Sequence, residues 1–184
     1  DSFSKLSLFL FHSVLMTPDE AHPNPQPAML TSAGLGTLHC MFNRTNGVSP
    51  SPFTSLNLSY GVGDSPENVL LNRQRIKQQL DIDVLVSSRQ EHGDQIYSVC
   101  DRTEDAEVEG YDGLITDKPG VGLLIQQADC QAILLHDPVQ KAIAAIHSGW
   151  RGSVLEIINK TMLRMMNEYR TDQANVPAVI SPSL

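Results

Sequence analysis

The amino-acid sequence reads as an α/β chain on three observations. Strand-length apolar runs recur along it, among them Leu38–Phe42, Val121–Gln126, 131–135 and 142–146, and they end in polar or Gly-rich residues. Two other segments, 66–80 and 153–169, carry apolar side chains at helical spacing instead. With 184 residues, 41% of them hydrophobic and 18% charged, the chain makes one domain, or one domain plus a fragment, large enough to bury a core. Its net charge of −8 argues against a general nucleic-acid surface or an anionic-membrane surface, so no nucleic acid and no membrane is expected among its partners. Cys40, Cys100 and Cys130 form no C-x-x-C pair and are odd in number, which fits a reducing, cytoplasmic setting better than a disulfide framework.

Taken in order, the apolar run at 6–16 has a faint look of a signal-peptide core, but Ser7, His12 and Ser13 interrupt it and no small-residue cleavage site follows. No run is long enough to span a bilayer. A first strand or leader, then an irregular linker at 17–27 marked by Pro18, Pro23, Pro25 and Pro27, makes up residues 1–30, and 31–184 form the domain proper. Leu38–Phe42 predicts a strand and 43–52 a loop. FTSLNLSYGVGD at 53–64 alternates like a strand until Gly61 and Gly63 break it. Asp64 or Ser65 caps the helix that follows, with Pro66 at its first position, Glu67 in its first turn and Val69, Ile76 and Leu80 along one face. Strands follow at 81–87 and 95–99, joined by the turn Arg89-Gln90-Glu91-His92-Gly93. The acidic stretch 101–109 reads as a solvated loop, and 111–116 leads toward the strand Val121–Gln126.

The runs 131–135 and 142–146 flank Asp137-Pro138-Val139-Gln140 and predict a β-hairpin. If His136 faces Lys141, Cys130 falls opposite His147 on one face of the sheet. That placement suits a metal half-site or a Cys-His dyad, and equally a packed cysteine beside a backbone-bonded histidine. Past His147, Ser153 and Glu156 form a capping-box pattern, and Val154, Ile158, Met162, Met165 and Tyr169 give the helix a core face. The amides at 148–152 and Arg151 at such a helix start favour an anion. His92 stands in a loop at a strand end beside Gly93, where functional side chains are often displayed. His12, His22, His39 and His136 read as structural or solvated, and Cys40 and Cys100 as packed.

The segments SLNLSYGVGDSPENVLLNR, RQEHGDQIYSV, YDGLITDKPGVGL, QADCQAILLHD and AAIHSGWRGSVLEIINK resemble the successive motifs of the YfiH-like family, known as laccase-domain or polyphenol oxidase proteins and as purine nucleoside phosphorylases. The likeness runs from about residue 38 to 184, and its A-D-C and H-x-G-W-R-G blocks together are specific. It implies mixed β-sheets flanked by helices in a layered sandwich. It also implies one metal site at a pocket, whose ligands fall by motif on His92, Cys130 and His147. Such a site would hold zinc, with copper as the alternative ion, and would leave a coordination position open. The activity implied is phosphorolysis of purine nucleosides with inorganic phosphate, accompanied by adenosine deamination. Arg151 and the 148–152 amides, Ser148 and Gly149 among them, are the candidates for phosphate, and Asn57, Arg44 and Asp129 for lining the pocket; Asp129 could instead orient a ligating histidine.

Departures from the pattern are Glu91 for the usual Val before His92, Ser148 for Ala, Tyr111 for a small residue before Asp112, and Ser181 for Gly in VISPSL. The family's further strand and helix, second Cys-containing motif and terminal S-x-R-R do not appear, so a C-terminally truncated domain is expected. Two other chemistries stand beside the phosphorylase: a copper-dependent polyphenol oxidase, poorly served by six His with no H-x-H pair, and a Cys-His hydrolase or deamidase using Cys130 and His147. A non-enzymatic scaffold is a further reading.

Overall fold

The computed structural model describes the backbone of residues 7–11, residue 27, and residues 29–182. The linker expected at 17–27 thus lies, apart from Pro27, outside the described residues, as do His12 and His22. Among the described residues eleven strands form two sheets. The first has the order β2 (Met29–Leu30), β3 (Leu38–Phe42), β1 (Ser7–Phe11), β8 (Val121–Gln126), β4 (Val84–Arg89), β6 (Ala106–Glu109), parallel throughout except at β2–β3. The second has the order β11 (Ala178–Ile180), β9 (Gln131–Asp137), β10 (Ala142–Ser148), β7 (Gly113–Thr116), β5 (Ile96–Ser98), antiparallel except at β5–β7.

Alternation along the strands explains how these sheets stack. In β8, Val121, Leu123 and Ile125 join Ile143 and Ala145 of β10, Leu134 of β9 and Val84 and Val86 of β4 in one buried cluster between the sheets. Leu124 points the other way, into a cluster with Cys40, Phe42 and Ile76 and Leu80 of helix α1 (Pro66–Leu80). Ala142, Ala144 and Ile146 of β10 likewise face away from the first sheet, toward Ile157 and Met165 of α3 (Ile157–Tyr169). The result is a helix–sheet–sheet–helix stack, and strands covered on both sides explain why VGLLIQ and AIAAIHS read as continuous apolar runs.

Several local expectations are corrected. The hairpin exists, but Asp137 pairs with Ala142, so Ala132 and not Cys130 faces His147. Asp137 Oδ1 accepts from the amides of Val139 and Gln140, and Lys141 takes φ 54°, which moves the four-residue turn one position along and slips the register by two. A slip of two leaves every side chain on its expected face. The segment 53–64 is no strand. Leu56 and Leu58 are buried in alternation, but side chains of α1 take its carbonyls: Asn72 Nδ2 donates to Ser55 and Asn57, and Arg73 to Leu58. No capping box starts a helix at Ser153. A short helix α2 (Trp150–Val154) begins after Gly149, Ser153 Oγ donates back to the Gly149 carbonyl, and Glu156 at φ 60° breaks the chain before α3. The buried face is therefore Ile157, Thr161 and Met165, while Val154 and Ile158 are exposed. The acidic stretch is partly strand, since 106–109 form β6 beside β4. Cys100 is exposed, not packed; Cys40 is buried, and that burial holds its thiol well above the ordinary value.

Candidate metal centre and ligand cavity

The parallel strands β4 and β8 run side by side and end at Arg89 and Gln126, so the loops after them meet at one crevice outside the carboxyl ends of the sheet, a common place for a ligand. Gln90 ties the two loops together: its Nε2 donates to the Gln126 carbonyl at 2.7 Å and its Oε1 accepts from the Gln126 amide at 2.8 Å. From the second sheet, β10 delivers His147 and the start of β9 delivers Cys130 to the same edge. A cavity of about 440 Å³ opens there, a volume within the range of small-ligand sites. Asn57, Gln90, His92, Glu107, Cys130 and His147 are among the residues lining it.

One ligand atom from each of His92, Cys130 and His147 lies within 4.8 Å of the others. The two imidazoles meet edge to face, with ring centroids 4.7 Å apart. His147 is buried, Cys130 half-buried and His92 exposed at the cavity. Cys130 sits diagonal to His147 across the hairpin, one step before β9 begins, and the preserved face brings it within reach.

The residue that organises this cluster is Asp112, which is fully buried. Its carboxylate accepts from His147 Nδ1 at 2.7 Å, from the His92 amide at 3.0 Å, from the Gly93 amide at 2.7 Å and from the Glu91 amide at 3.1 Å. The first bond sets the His147 tautomer and leaves Nε2 as the lone-pair nitrogen. The amide bonds hold the loop on which His92, at φ 56°, turns toward the cluster. Burial pushes the Asp112 carboxyl up, but the His147 bond and the Gly93 and Glu91 amides together outweigh it, and its pKa is lowered. Burial first, then the charge and hydrogen bond of Asp129, raise the Cys130 thiol. Gly149 packs closely beside them: a Cβ there would stand 3.0 Å from Cys130 Sγ and 3.2 Å from His92 Cδ2, so one of those side chains would have to shift by a few tenths of an ångström.

Two nitrogens and a sulfur around one point, with a carboxylate behind one imidazole, match the donor chemistry of a zinc or similar borderline ion. Of the other described histidines, His39 spends both ring nitrogens on the Ser32 amide and the Thr37 carbonyl, and His136 bonds the Leu35 carbonyl. Among the described residues His92, Cys130 and His147 are the one group of three His, Cys, Asp or Glu side chains whose donor atoms lie close enough together that they could hold a metal ion.

The remaining predicted site residues divide. Asn57 and Asp129 line the cavity, with Asn57 held by Ser59 and Asp64. Arg44 and Arg151 are exposed and line none of it, and Ser148 is buried with its hydroxyl on Ser153; the arginine at the wall is Arg89. The carboxylate that orients a histidine is Asp112, not Asp129. Glu91 lies against Gly110 and does not line the cavity. Asp112, which bonds the cluster, and Glu107, which lines the cavity, are the positions that the sequence did not single out. The first sits in the YDG motif but carries no local sign of the amides that surround it. The second lay in what looked like a solvated loop.

Comparison with known proteins places these observations. The family described as multi-copper polyphenol oxidoreductase laccase matches residues 38–184. A purine nucleoside phosphorylase of Bacteroides thetaiotaomicron is 36% identical over 155 residues, covering 79% of this chain and 57% of its own length. Among solved structures, YfiH of Bacillus licheniformis superposes with a TM-score of 0.71 at 31% identity, over 79% of this chain and 58% of that one. YlmD of Geobacillus stearothermophilus gives 0.70 at 31% identity, over 77% and 56%. The chain thus spans a little over half the length of each of these three proteins.

Proposed function

Since the chain belongs to the multi-copper polyphenol oxidoreductase laccase family, and similar proteins are named purine nucleoside phosphorylases, we propose that it is a purine nucleoside phosphorylase with a metal ion held by His92, Cys130 and His147. The observation that carries this is the convergence of those three donors, backed by Asp112, on the wall of a nucleoside-sized cavity. Three protein donors leave a position open, as a catalytic site requires and a structural one does not. When bound, the ion supplies Lewis-acid polarisation of a substrate group, and this is also the basis for the associated deamination of adenosine.

The protein's own residues do the rest. Asp112 keeps the proton on His147 Nδ1 and stabilises any positive charge drawn onto the ring. Cys130 must surrender its proton to become a ligand, against the burial and the Asp129 charge that hold the proton on. The same raised thiol disfavours the reading of Cys130 as a free nucleophile, which needs a lowered value. Phosphorolysis needs phosphate held in line with the anomeric carbon. Arg89 is the side chain on the wall suited to that anion. One three-donor group among the described residues falls short of the many imidazoles a multicopper centre needs.

The test is incubation of the purified, zinc-loaded protein with adenosine and inosine, with and without phosphate, identifying the products beside a phenol-oxidation assay. Free base and ribose 1-phosphate formed only when phosphate is present, and abolished in Cys130→Ala, are expected. Oxidised phenol with unaltered nucleosides would sink the proposal.

A further inference from the structure

Glu107 lies on β6, in the stretch that reads from sequence as a solvated loop, yet it lines the cavity. Its two carboxylate oxygens have different surroundings. Oε2 accepts from Arg73 Nη2 at 2.6 Å and from Ser87 Oγ at 3.0 Å. Arg73 is itself buried and fixed: Nε and Nη2 donate to the Leu58 carbonyl at 2.9 and 2.7 Å, Nη1 donates to Ser87 Oγ at 2.9 Å, and the guanidinium stacks 4.4 Å from the Tyr60 ring centroid. Oε1 has no protein partner among the described residues, and the side chain keeps 23% of its exposure. A counter-ion serving only to neutralise a buried arginine would gain by turning both oxygens onto it. Here one oxygen is locked by Arg73 and Ser87, and the other, unpartnered among the described residues, belongs to a partly exposed side chain that lines the cavity.

Resting on the nucleoside reading above, we propose that Glu107 is a substrate-binding residue whose Oε1 accepts a hydrogen bond from an N–H or O–H donor of the nucleoside. The chemistry is that of a fixed anionic acceptor. It attracts a donor such as a ribose hydroxyl or the N1–H of a 6-oxopurine, and it repels phosphate, which assigns the anion to another part of the cavity. The clamp has a further consequence. In Glu107→Gln the amide oxygen must take the place of Oε2, because Arg73 and Ser87 both donate there, so the amide NH₂ would face the ligand. An isosteric change thereby turns an acceptor into a donor.

The experiment is equilibrium binding of inosine, 1-methylinosine, 2′-deoxyinosine and 3′-deoxyinosine to the purified protein and to Glu107→Gln, with phosphate absent. Turnover in the presence of phosphate is measured separately. In the unsubstituted protein the analogue lacking the recognised donor is expected to bind about tenfold or more weakly, as for loss of a hydrogen bond to a charged group. 1-Methylinosine identifies a ring N–H, and a deoxy analogue a sugar hydroxyl. Glu107→Gln is expected to weaken inosine by a similar factor while leaving that one analogue nearly unaffected. Unchanged inosine binding in the variant, or equal losses for every analogue, overturns the proposal. If the variant does not fold, the analogue series on the unsubstituted protein decides alone, since four equal affinities also overturn it. Failure to phosphorolyse with binding intact would defeat the enzymatic reading and leave Glu107 standing. Absence of any nucleoside binding defeats both.

Discussion

At the residue scale the centre depends on Asp112, because one carboxylate holds both His147 and the backbone of the His92 loop. Asp112→Asn puts an amide NH₂ where donors already point, and is expected to lower zinc affinity about 10–100-fold, measured by competition with a chelating dye. It should also destabilise the fold by about 3 kcal/mol near neutral pH. The folded-state pKa of Asp112 is lowered, so its contribution is fully present above the ordinary carboxylate value of about 3.9 and is lost as pH falls through the lower folded value. Urea midpoints of the two proteins should accordingly differ at pH 7 and converge in acid. A gap that stays constant with pH would show that the carboxylate's charge is not what matters. Gly149→Ala tests sterics alone, since φ −80° and ψ −179° suit any residue. Its methyl group would press on Cys130 Sγ and His92 Cδ2 and shift them by a few tenths of an ångström, so zinc affinity should fall while the fold loses only about 1–3 kcal/mol. The three donors were legible in the A-D-C, E-H-G and H-S-G-W-R motifs. Asp112 was not, because the value of a buried carboxylate lies in which amides surround it, and those come from a loop twenty residues upstream.

At the element scale, α1 does more than cover a sheet. Asn72, fully buried, donates from Nδ2 to Ser49 Oγ, Ser55 O and Asn57 O and accepts at Oδ1 from the Val48 amide. It holds the irregular 48–57 segment, which ends at the cavity residue Asn57. Asn72→Ala strands several buried polar groups and is expected to cost about 3 kcal/mol, read from a thermal or urea transition, and to raise KM for nucleoside by loosening that wall. A shift within about 0.5 kcal/mol would mean that water replaces the amide. The alternation of Leu56 and Leu58 was legible, and both side chains are inside. Its misreading as a strand followed from a donor set on another element, which no local window reveals. The hairpin register failed for a similar reason: an aspartate side chain and one positive φ, not hydrophobic pattern, decide where the turn falls.

For the whole molecule, mixed sheets flanked by helices in a layered sandwich were expected from a family likeness, and the apolar runs identify strands, but the strand order and the helix–sheet–sheet–helix stacking follow from long-range pairing. No helix among the described residues is long and apolar enough to cross a membrane. Both sheets contribute donors to the site, so an ion there binds the assembled fold and not the unfolded chain. Saturation at about a hundred times Kd should add about 2.7 kcal/mol to stability, visible as a melting temperature that rises with zinc and falls again on chelation. Cys130→Ala should abolish the increment. Equal zinc effects in both proteins would place the ion elsewhere.

The unequal placing of the two imidazoles has a consequence for anyone who wishes to redesign the centre. His147 lies one residue before the end of a strand covered on both faces and is itself buried, so exchanging it disturbs packed surroundings. His92 stands on an exposed turn, so trading it for an aspartate or a cysteine leaves the interior alone. Laboratory selection for a different ion would therefore find its winners at the loop position and leave the strand position untouched.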